Sequence, residues 1–555
     1  MNDWKNTLYY GDNLAVMREY LADESVDLIY LDPPFNSNRS YNVLFRDESG
    51  DDSQAQITAF EDTWHWNRTA IATYDELVTA APLPVRNMIA AMKEFIGTNQ
   101  MMAYIVMMTI RLVELHRILK QTGSLYLHCD PTMSHYLKII LDTVFGAERF
   151  INEIIWKRTT AHANVGKRCG VITDSLLCYS KTSDYTWNNQ FVPYSDDHIG
   201  SSYRYKETDT ERRYASRDLT ASMQRASSGQ LYEWKGTRPP SSRCWAYTEE
   251  QMKKFEAEGR ILYSKTGYPR LKIYLDEMPG VPLQNIWTDI PPVNPQAKER
   301  LGYPTQKPLA LLERIIQASS NEGDIVFDPF CGCGTAIVAA EKLGRRWIGI
   351  DITHLSIALL KYRLKKLQDN VDKAKFGENF VVIGEPKDVA AAEHLAQSNR
   401  YQFQWWALSL VQAMPLGGSV GDKKGRKGAD KGIDGVITFL EESEGKPKRV
   451  LVQVKSGNVG AKDIRDLRGT FERENAAIAI FITLKSPTKP MYDEAEIAGL
   501  YFSETWGKKY PKIQIFSIED LLNGAEVRMP PVRATFGNKN AGNEKKVNGM
   551  QNGLF

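Results

Sequence analysis

The chain has 555 residues, with Lys+Arg 70 against Asp+Glu 68 for a formal charge of +2. At roughly 100–200 residues per domain, it is expected to hold two to four domains. Hydrophobic residues at 42% and charged residues at 25% exclude a collagen-like, disulfide-scaffold or largely disordered chain, while the even charge balance leaves nucleic acid open, since it can hide a basic stripe.

The start, Met1-Asn2-Asp3-Trp4-Lys5, lacks the basic opening and apolar run of a signal peptide. The longest apolar stretch, Met101 to Ile110, ends at Arg111, short of the roughly 20 residues that span a bilayer. Six cysteines at irregular spacing point to reduced thiols, so a cytoplasmic protein with no membrane partner is expected.

Residues 7–35 read as strand, helix, strand. Leu8-Tyr9-Tyr10 runs into the breaker Gly11-Asp12-Asn13, and Leu14, Met17, Arg18 and Leu21 fit a short amphipathic helix. Val26 to Leu31 is an apolar-rich run suited to a strand covered on both faces, stopped by Asp32-Pro33-Pro34-Phe35. Helical periodicity follows from about 85. Gly123 to His128 is then a strand, a helix runs to Phe145, and Asn152 to Trp156 opens another strand. Strands alternating with helices predict a parallel sheet with helices on both faces.

Residues 186–285 break the alternation; they are rich in Tyr, Trp, Arg, Lys and Ser and read as an insertion. The alternation resumes in 286–385, with a helix over Leu309 to Ser319, a buried strand over Asp324 to Asp328, a helix over Thr335 to Leu343 and a strand over Arg346 to Asp351. A further compact unit is expected at 390–530, and 534–555 is a Gly/Asn/Lys-rich tail expected to be disordered. There are no internal repeats.

Two segments belong together: Asp32-Pro33-Pro34-Phe35, and the strand-to-helix loop Asp328-Pro329-Phe330-Cys331-Gly332-Cys333-Gly334-Thr335, with Asp351 closing the next strand. A Gly-x-Gly turn alone is weak evidence, because it equally serves tight packing of a strand on a helix. With the tetrapeptide, the chain resembles the amino-methyltransferases that methylate exocyclic nitrogens of DNA bases from S-adenosylmethionine. Because the tetrapeptide precedes the cofactor loop, it resembles their circularly permuted β class. The pieces Gly123 to Asp130, Asn152 to Arg158 and Tyr303-Pro304-Thr305-Gln306-Lys307-Pro308 are similar to modification subunits of type III restriction systems. This resemblance covers roughly residues 5–370 and implies a Rossmann-like α/β methyltransferase: catalytic half 1–185, target-recognition insertion 186–285, cofactor half 286–385.

The chemistry is coherent. An exocyclic amine is a poor nucleophile because its lone pair is delocalised into the ring. The Asp32 carboxylate and the Pro33 carbonyl can accept its two hydrogens and free the lone pair, Pro34 completes the turn, and Phe35 can stack on a base rotated out of the duplex. The resemblance implies that Asp328, Phe330, Gly332, Gly334 and Thr335 form the cofactor loop, that Asp351 holds the ribose, and that Thr305 and Lys307 reach the methionine end. It places Asp12 near the cofactor's adenine amine, with Val381 to Glu385 as a competing turn. Aspartate rather than serine at the head of the tetrapeptide favours adenine N6 over cytosine N4. Related tetrapeptides serve RNA and protein-glutamine methylation, and the aromatic, basic insertion favours double-stranded DNA over both.

Cys331 and Cys333 lack the usual zinc spacing and read as small loop residues. His128 and His162 read as polar residues without assigned partners. Lys157, Arg158, Lys167 and Arg168 flank a Gly/Ala/Asn loop and are candidate phosphate contacts, or else a solvated surface.

In the C-terminal unit, Gly428 to Gly435 is followed by a strand ending Gln453-Val454-Lys455. This resembles the PD-(D/E)xK nucleases, nearest the Mrr-like branch. It implies Mg²⁺ held by Asp434, Gln453 and the carbonyl of Val454, with Lys455 orienting the attacking water. Gln453 stands where the family's commonest residue is an acid. The helix Gln402-Phe403-Gln404-Trp405-Trp406 is expected to pack on this sheet, in a core-and-cap role or with its glutamines near the metal. The basic run Lys423, Lys424, Arg426 and Lys427 lies beside Asp430. The whole chain then reads as a DNA methyltransferase with a fused nuclease-like domain in restriction–modification or phage defence, or one whose C-terminal domain binds DNA without cutting. A second copy of the chain and a restriction or helicase subunit are further candidate partners.

Overall fold

The structure, a computed structural model, describes residues 4–34, 65–160, 167, 169–223, 230–294, 297, 299–301, 303, 305–370, 380–415, 433–440 and 447–530. Phe35, His162, Arg168, the run from Lys423 to Asp430 and the segment 534–555 lie outside the described residues.

The main sheet has nine strands: β1 (Asn6–Tyr10), β2 (Val26–Leu31), β3 (Leu119–Cys129), β4 (Phe150–Lys157), β5 (Thr173–Ser180), β6 (Ile286–Trp287), β7 (Ile325–Asp328), β8 (Arg346–Asp351) and β9 (Phe380–Ile383). Their spatial order is β6-β4-β5-β3-β2-β7-β8-β1-β9. The central strands are parallel, with Val326 opposite Leu28 and Phe327 opposite Ile29 where the two sequence halves meet. Both strands are buried almost throughout, because helices cover both faces.

The sheet departs from the expected all-parallel arrangement at one side. β5 runs antiparallel to both β3 and β4. Among the described residues no helix separates β4 from β5, as suits neighbouring antiparallel strands. β1 also lies away from the rest of the catalytic half: it pairs with β8 and β9 and belongs spatially to the cofactor half. The carboxyl ends of β1, β2, β7 and β8 therefore converge, as ligand-binding ends of open α/β sheets do.

The apolar stretch at Met101 lies in the helix Gln100–Ile118, where every residue from Met102 to Ile110 is buried. It is a core helix, apolar on all sides because protein surrounds it. No described helix is long and apolar enough to cross a membrane.

Residues Asn189–Gln284 form a separate compact unit. Its antiparallel strands Ile261–Tyr263, Pro269–Tyr274, Arg213–Asp218 and Tyr205–Lys206 pack with Leu219, Trp234, Trp245, Met252 and Leu271 in the core. Several of its cations are paired internally, Arg212 with Asp276 and Glu277, and Lys272 with Glu207.

The C-terminal elements carry a five-stranded sheet: β10 (Met414–Pro415), β11 (Gly435–Leu440), β12 (Pro447–Lys455), β13 (Ile478–Thr483) and β14 (Ile513–Ser517), in that order. β11 and β12 are antiparallel, while β12, β13 and β14 are parallel. By contacts these elements share one compact unit with the main sheet. One buried cluster holds Cys333, Leu355 and Leu359 of the cofactor half together with Phe403, Trp405, Trp406 and Val452.

Candidate active site

β2 ends at Leu31, just before Asp32, because proline at 33 and 34 cannot continue the strand's hydrogen bonding. The Asp32 carboxylate pairs through Oδ2 with Lys307 Nζ, and both side chains are largely buried. Asp32 Oδ1 carries no hydrogen bond among the described residues. Lys307 reaches Asp32 from the segment before the helix Leu309–Ser319, so a residue expected at the cofactor also anchors the carboxylate expected to be catalytic.

Asp328, at the end of β7, is 3% exposed. Burial pushes its carboxyl well above the usual range, and the nearby charges of Asp32 and Asp351 push the same way. Its Oδ1 accepts from Phe330 N at 3.0 Å and fixes the first turn of the loop.

The loop after β7 turns back on positive φ at Gly332 (+50°) and Gly334 (+76°). A Cβ on Gly334 would lie 2.1 Å from Leu360 Cδ1, and one on Gly332 would lie 3.4 Å from the Tyr303 ring. Asp351 ties this loop to β8: Gly332 N donates to Oδ2 at 2.9 Å, and Thr353 N donates to Oδ1 at 2.9 Å. Burial raises the Asp351 carboxyl, with these hydrogen bonds opposing. Oδ2 accepts a single N–H and keeps capacity for a hydroxyl, so the set fits a ribose-bearing cofactor. Thr335 opens the following helix, and Arg363 Nη1 reaches the Cys333 carbonyl at 2.6 Å and Thr335 Oγ1 at 3.3 Å. Cys331 and Cys333 are buried, with thiols pushed up by burial, and no metal-ligating cluster occurs among the described residues.

Asp12 caps the helix Asn13–Tyr20, its Oδ1 accepting from Leu14 N at 3.0 Å and Ala15 N at 3.2 Å. Its Oδ2 accepts from Arg111 Nη2 at 2.7 Å, and Arg111 Nε also donates to Asn13 Oδ1 at 2.5 Å. Asn13 Nδ2 in turn donates to the Pro329 carbonyl at 2.8 Å, joining this turn to the cofactor loop. Neither Asn13 nor Arg111 was expected here. The signal was a lone charge ending an apolar helical run.

His128 is not a polar residue without partners. It is fully buried, with Nδ1 3.0 Å from the Tyr30 hydroxyl and Nε2 3.1 Å from Asp174 Oδ2. Although burial opposes it, the His128 hydrogen bond and the Arg158 charge hold Asp174 below the usual carboxylate range. Because a carboxylate only accepts, His128 Nε2 donates to Asp174. Arg158 Nε lies 3.2 Å from Asp174 Oδ1, so this cation, expected at phosphate, is the counter-charge of a buried acid. Lys157 and Lys167 are exposed.

In the C-terminal unit, Asp434 Oδ1 accepts from Gln404 Nε2 at 2.9 Å, and Oδ2 accepts from Val454 N at 2.7 Å. Gln453 is 7% exposed, and its Oε1 has no hydrogen-bond partner among the described residues. Lys455 lies two residues on, half-buried. The set offers one carboxylate, whose oxygens each accept one N–H, together with the Val454 carbonyl and one neutral amide oxygen. With Gln453 in place of a second acid, these residues do not fit Mg²⁺, whose charge a single carboxylate leaves half neutralised.

The N6_N4 DNA methylase family model matches residues 26–361. That is more than half the chain, and it spans both loops described above. The chain belongs to this DNA methylase family. Type II methyltransferase M.EcaI of Enterobacter cloacae is 31% identical over 349 residues, covering 62% of this chain and 66% of that protein. The type III restriction-modification enzyme StyLTI Mod subunit of Salmonella typhimurium is 27% identical over 351 residues, covering 61% and 50% respectively. The chain thus spans just under two thirds of one relative's length and half of the other's. A DNA modification methylase structure from Thermus thermophilus, complexed with S-adenosyl-L-methionine, has 14% identity and a TM-score of 0.32, covering 69% of this chain and 99% of that one. So low a score carries no argument, and the fold rests on the strand order above. Residues 415–523 match the NACHT-associated inactive restriction endonuclease 1 model, which replaces the Mrr-like assignment expected from the sequence.

Proposed function

We propose that the chain methylates an exocyclic nitrogen of a DNA base, adenine N6 favoured, within a restriction–modification system. The carrying observation is the adjacency of β2, β7 and β8, which sets Asp32, held by Lys307, at the end of the strand beside the one leading into the Gly332–Gly334 loop tied to Asp351. When bound, S-adenosylmethionine supplies a methyl group on a sulfonium. The chain's own residues bind and orient. Asp351 accepts a ribose hydroxyl, Gly332 and Gly334 let the backbone approach, and Phe330, Thr335 and Asp328 shape the loop. Asp12 is assigned to the adenine end of the cofactor and Thr305, whose carbonyl accepts from Lys307 Nζ at 3.5 Å, to its methionine end.

Asp32 Oδ1 and the Pro33 carbonyl accept the two amine hydrogens of the target base. The Lys307 ammonium fixes Asp32 through Oδ2, so the carboxylate is a hydrogen-bond acceptor in place before the base arrives. The amine proton released on methylation leaves through Asp32 to water. The insertion at 189–284 is the proposed reader of the target sequence, and Lys157 and Lys167 are proposed phosphate contacts. The likeness to a type III modification subunit makes a separate restriction subunit a candidate partner.

The C-terminal unit is read as a restriction-endonuclease-like module that does not cut. The observation favouring this is the donor set, in which Asp434 is the one carboxylate and the buried amide of Gln453 stands where a second acid would be needed. Duplex DNA and S-adenosylmethionine are incubated with metal chelated, and methyl transfer is scored for the wild type and Asp32→Ala. Transfer that survives Asp32→Ala removes the catalytic assignment. Mg²⁺ is then added, and cleavage is scored on unmethylated, hemimethylated and methylated DNA. Cutting that is lost in Asp434→Ala overturns the non-cleaving reading and restores a metal-dependent nuclease.

A further inference from the structure

The helix Arg400–Leu410 of the C-terminal unit packs directly on the helix His354–Asn370 that follows Asp351. Gln402 is 4% exposed, and its Oε1 accepts from His354 N at 2.6 Å. A helix start leaves its first N–H groups without intrahelical partners, and ordinarily a local side chain or water satisfies them. Here the first N–H after the Asp351–Thr353 turn is satisfied by a side chain from a helix of the C-terminal unit. Thr353 N, one residue earlier, donates to the Asp351 carboxylate at 2.9 Å. The turn that bears Asp351 is thus held on one side by its own carboxylate and on the other by Gln402.

The same helix is fixed from the opposite direction. Two residues on, Gln404 Nε2 donates to Asp434 Oδ1, and Asp434 Oδ2 accepts from the β12 amide of Val454. Lys361 of the cofactor half meets Ser409 Oγ at 3.3 Å farther along. Positions i and i+2 of a helix face opposite sides, so Gln402 addresses the cofactor half and Gln404 the C-terminal sheet.

We propose that Gln402 is a positioning residue for the cofactor: it holds the Asp351 turn in place from the C-terminal unit, so that the cofactor pocket is complete only with that unit docked. This rests on the reading of Asp351 as the ribose ligand. It gives the C-terminal unit a role in the methyltransferase reaction that needs no cutting.

The full chain is titrated with S-adenosylmethionine and S-adenosyl-L-homocysteine by calorimetry, as wild type, Gln402→Met and Gln402→Glu, with melting temperatures alongside. Gln402→Met lacks a strong acceptor, and its Kd is expected to rise about tenfold, with KM for the cofactor moving more than kcat. Gln402→Glu keeps an acceptor oxygen and is expected to recover most of the affinity. A purely structural role would lower the melting temperature and the active fraction but leave the Kd of folded molecules alone. Wild-type affinity in Gln402→Met overturns the proposal. No binding by the wild type overturns the methyltransferase reading itself, which is a different failure. Hydrogen exchange on the wild type tests the link without any variant. S-adenosyl-L-homocysteine is expected to raise protection of amides in the helix 400–410, and unchanged protection there also overturns the proposal.

Discussion

Replacing His354 with phenylalanine removes one titrating group while keeping a flat ring in the same place. His354 is 1% exposed and stacks on Tyr10, with ring centroids 3.7 Å apart at 16°. Its Nδ1 lies 3.9 Å from Glu385 Oε1, and neither ring nitrogen has a hydrogen-bond partner among the described residues. Lys361, which pairs with Glu385 at 3.0 Å, adds a positive charge nearby. Burial, and then Lys361, pull the imidazole from the ordinary 6.5 down to about 3. The unfolded chain therefore takes up a proton below pH 6.5 that the folded chain refuses until about pH 3. Stability attributable to this group is present above pH 6.5 and falls as pH drops through that window. Between pH 7 and pH 5 the loss works out at about 2 kcal/mol. Urea unfolding of wild type and His354→Phe at the two pH values, at equal ionic strength, measures it. Any steric cost of the larger ring is the same at both, so only the difference matters. The stability lost between pH 7 and pH 5 should be smaller in the variant by about 2 kcal/mol. An identical pH dependence in both proteins would show that His354 is not held neutral by burial.

Asp328→Asn should stabilise the fold at pH 7.5, because a buried carboxyl whose folded pKa is raised costs stability once the unfolded chain has ionised. Its advantage over wild type should vanish by pH 4 in the same unfolding assay, and an equal advantage at both pH values would contradict the cause. Gly334→Ala meets both the positive φ of +76° and the Leu360 Cδ1 contact at 2.1 Å. It should cost about 3 kcal/mol, with Leu360→Ala added in the double variant recovering the steric share and not the backbone share. Full wild-type stability in Gly334→Ala would mean the loop can adopt another path.

The two site loops were readable in the sequence because local chemistry sets them. Prolines at 33 and 34 must end β2, and a loop of small residues around Gly332 and Gly334 suits a strand-to-helix turn. The side chains that hold those loops were not readable, since each acts across the fold. Lys307 reaches Asp32 from 275 positions away, and Arg363 reaches the Cys333 carbonyl from the second helix further along the chain. Arg158 reads in the sequence as a phosphate contact or a solvated surface cation, because a strand-end cation gives no sign that Asp174 lies beside it on the neighbouring strand. The sheet's antiparallel side escaped for the same reason: periodicity identifies strands, whereas their direction depends on what the connecting chain packs against. The +2 total charge says little either, since several of the insertion's cations are spent on internal pairs with Asp276, Glu277 and Glu207.

The most direct test of the account is the identity of the methylated nucleoside. Duplex DNA treated with the wild type and S-adenosylmethionine is digested and its nucleosides are separated by mass spectrometry, with Asp32→Ala as the paired control. The account predicts N6-methyl-2′-deoxyadenosine from the wild type and none from Asp32→Ala. N4-methyl-2′-deoxycytidine would correct the base and keep the mechanism. A methyl group on a ring carbon, or no methylated nucleoside at all, would contradict it.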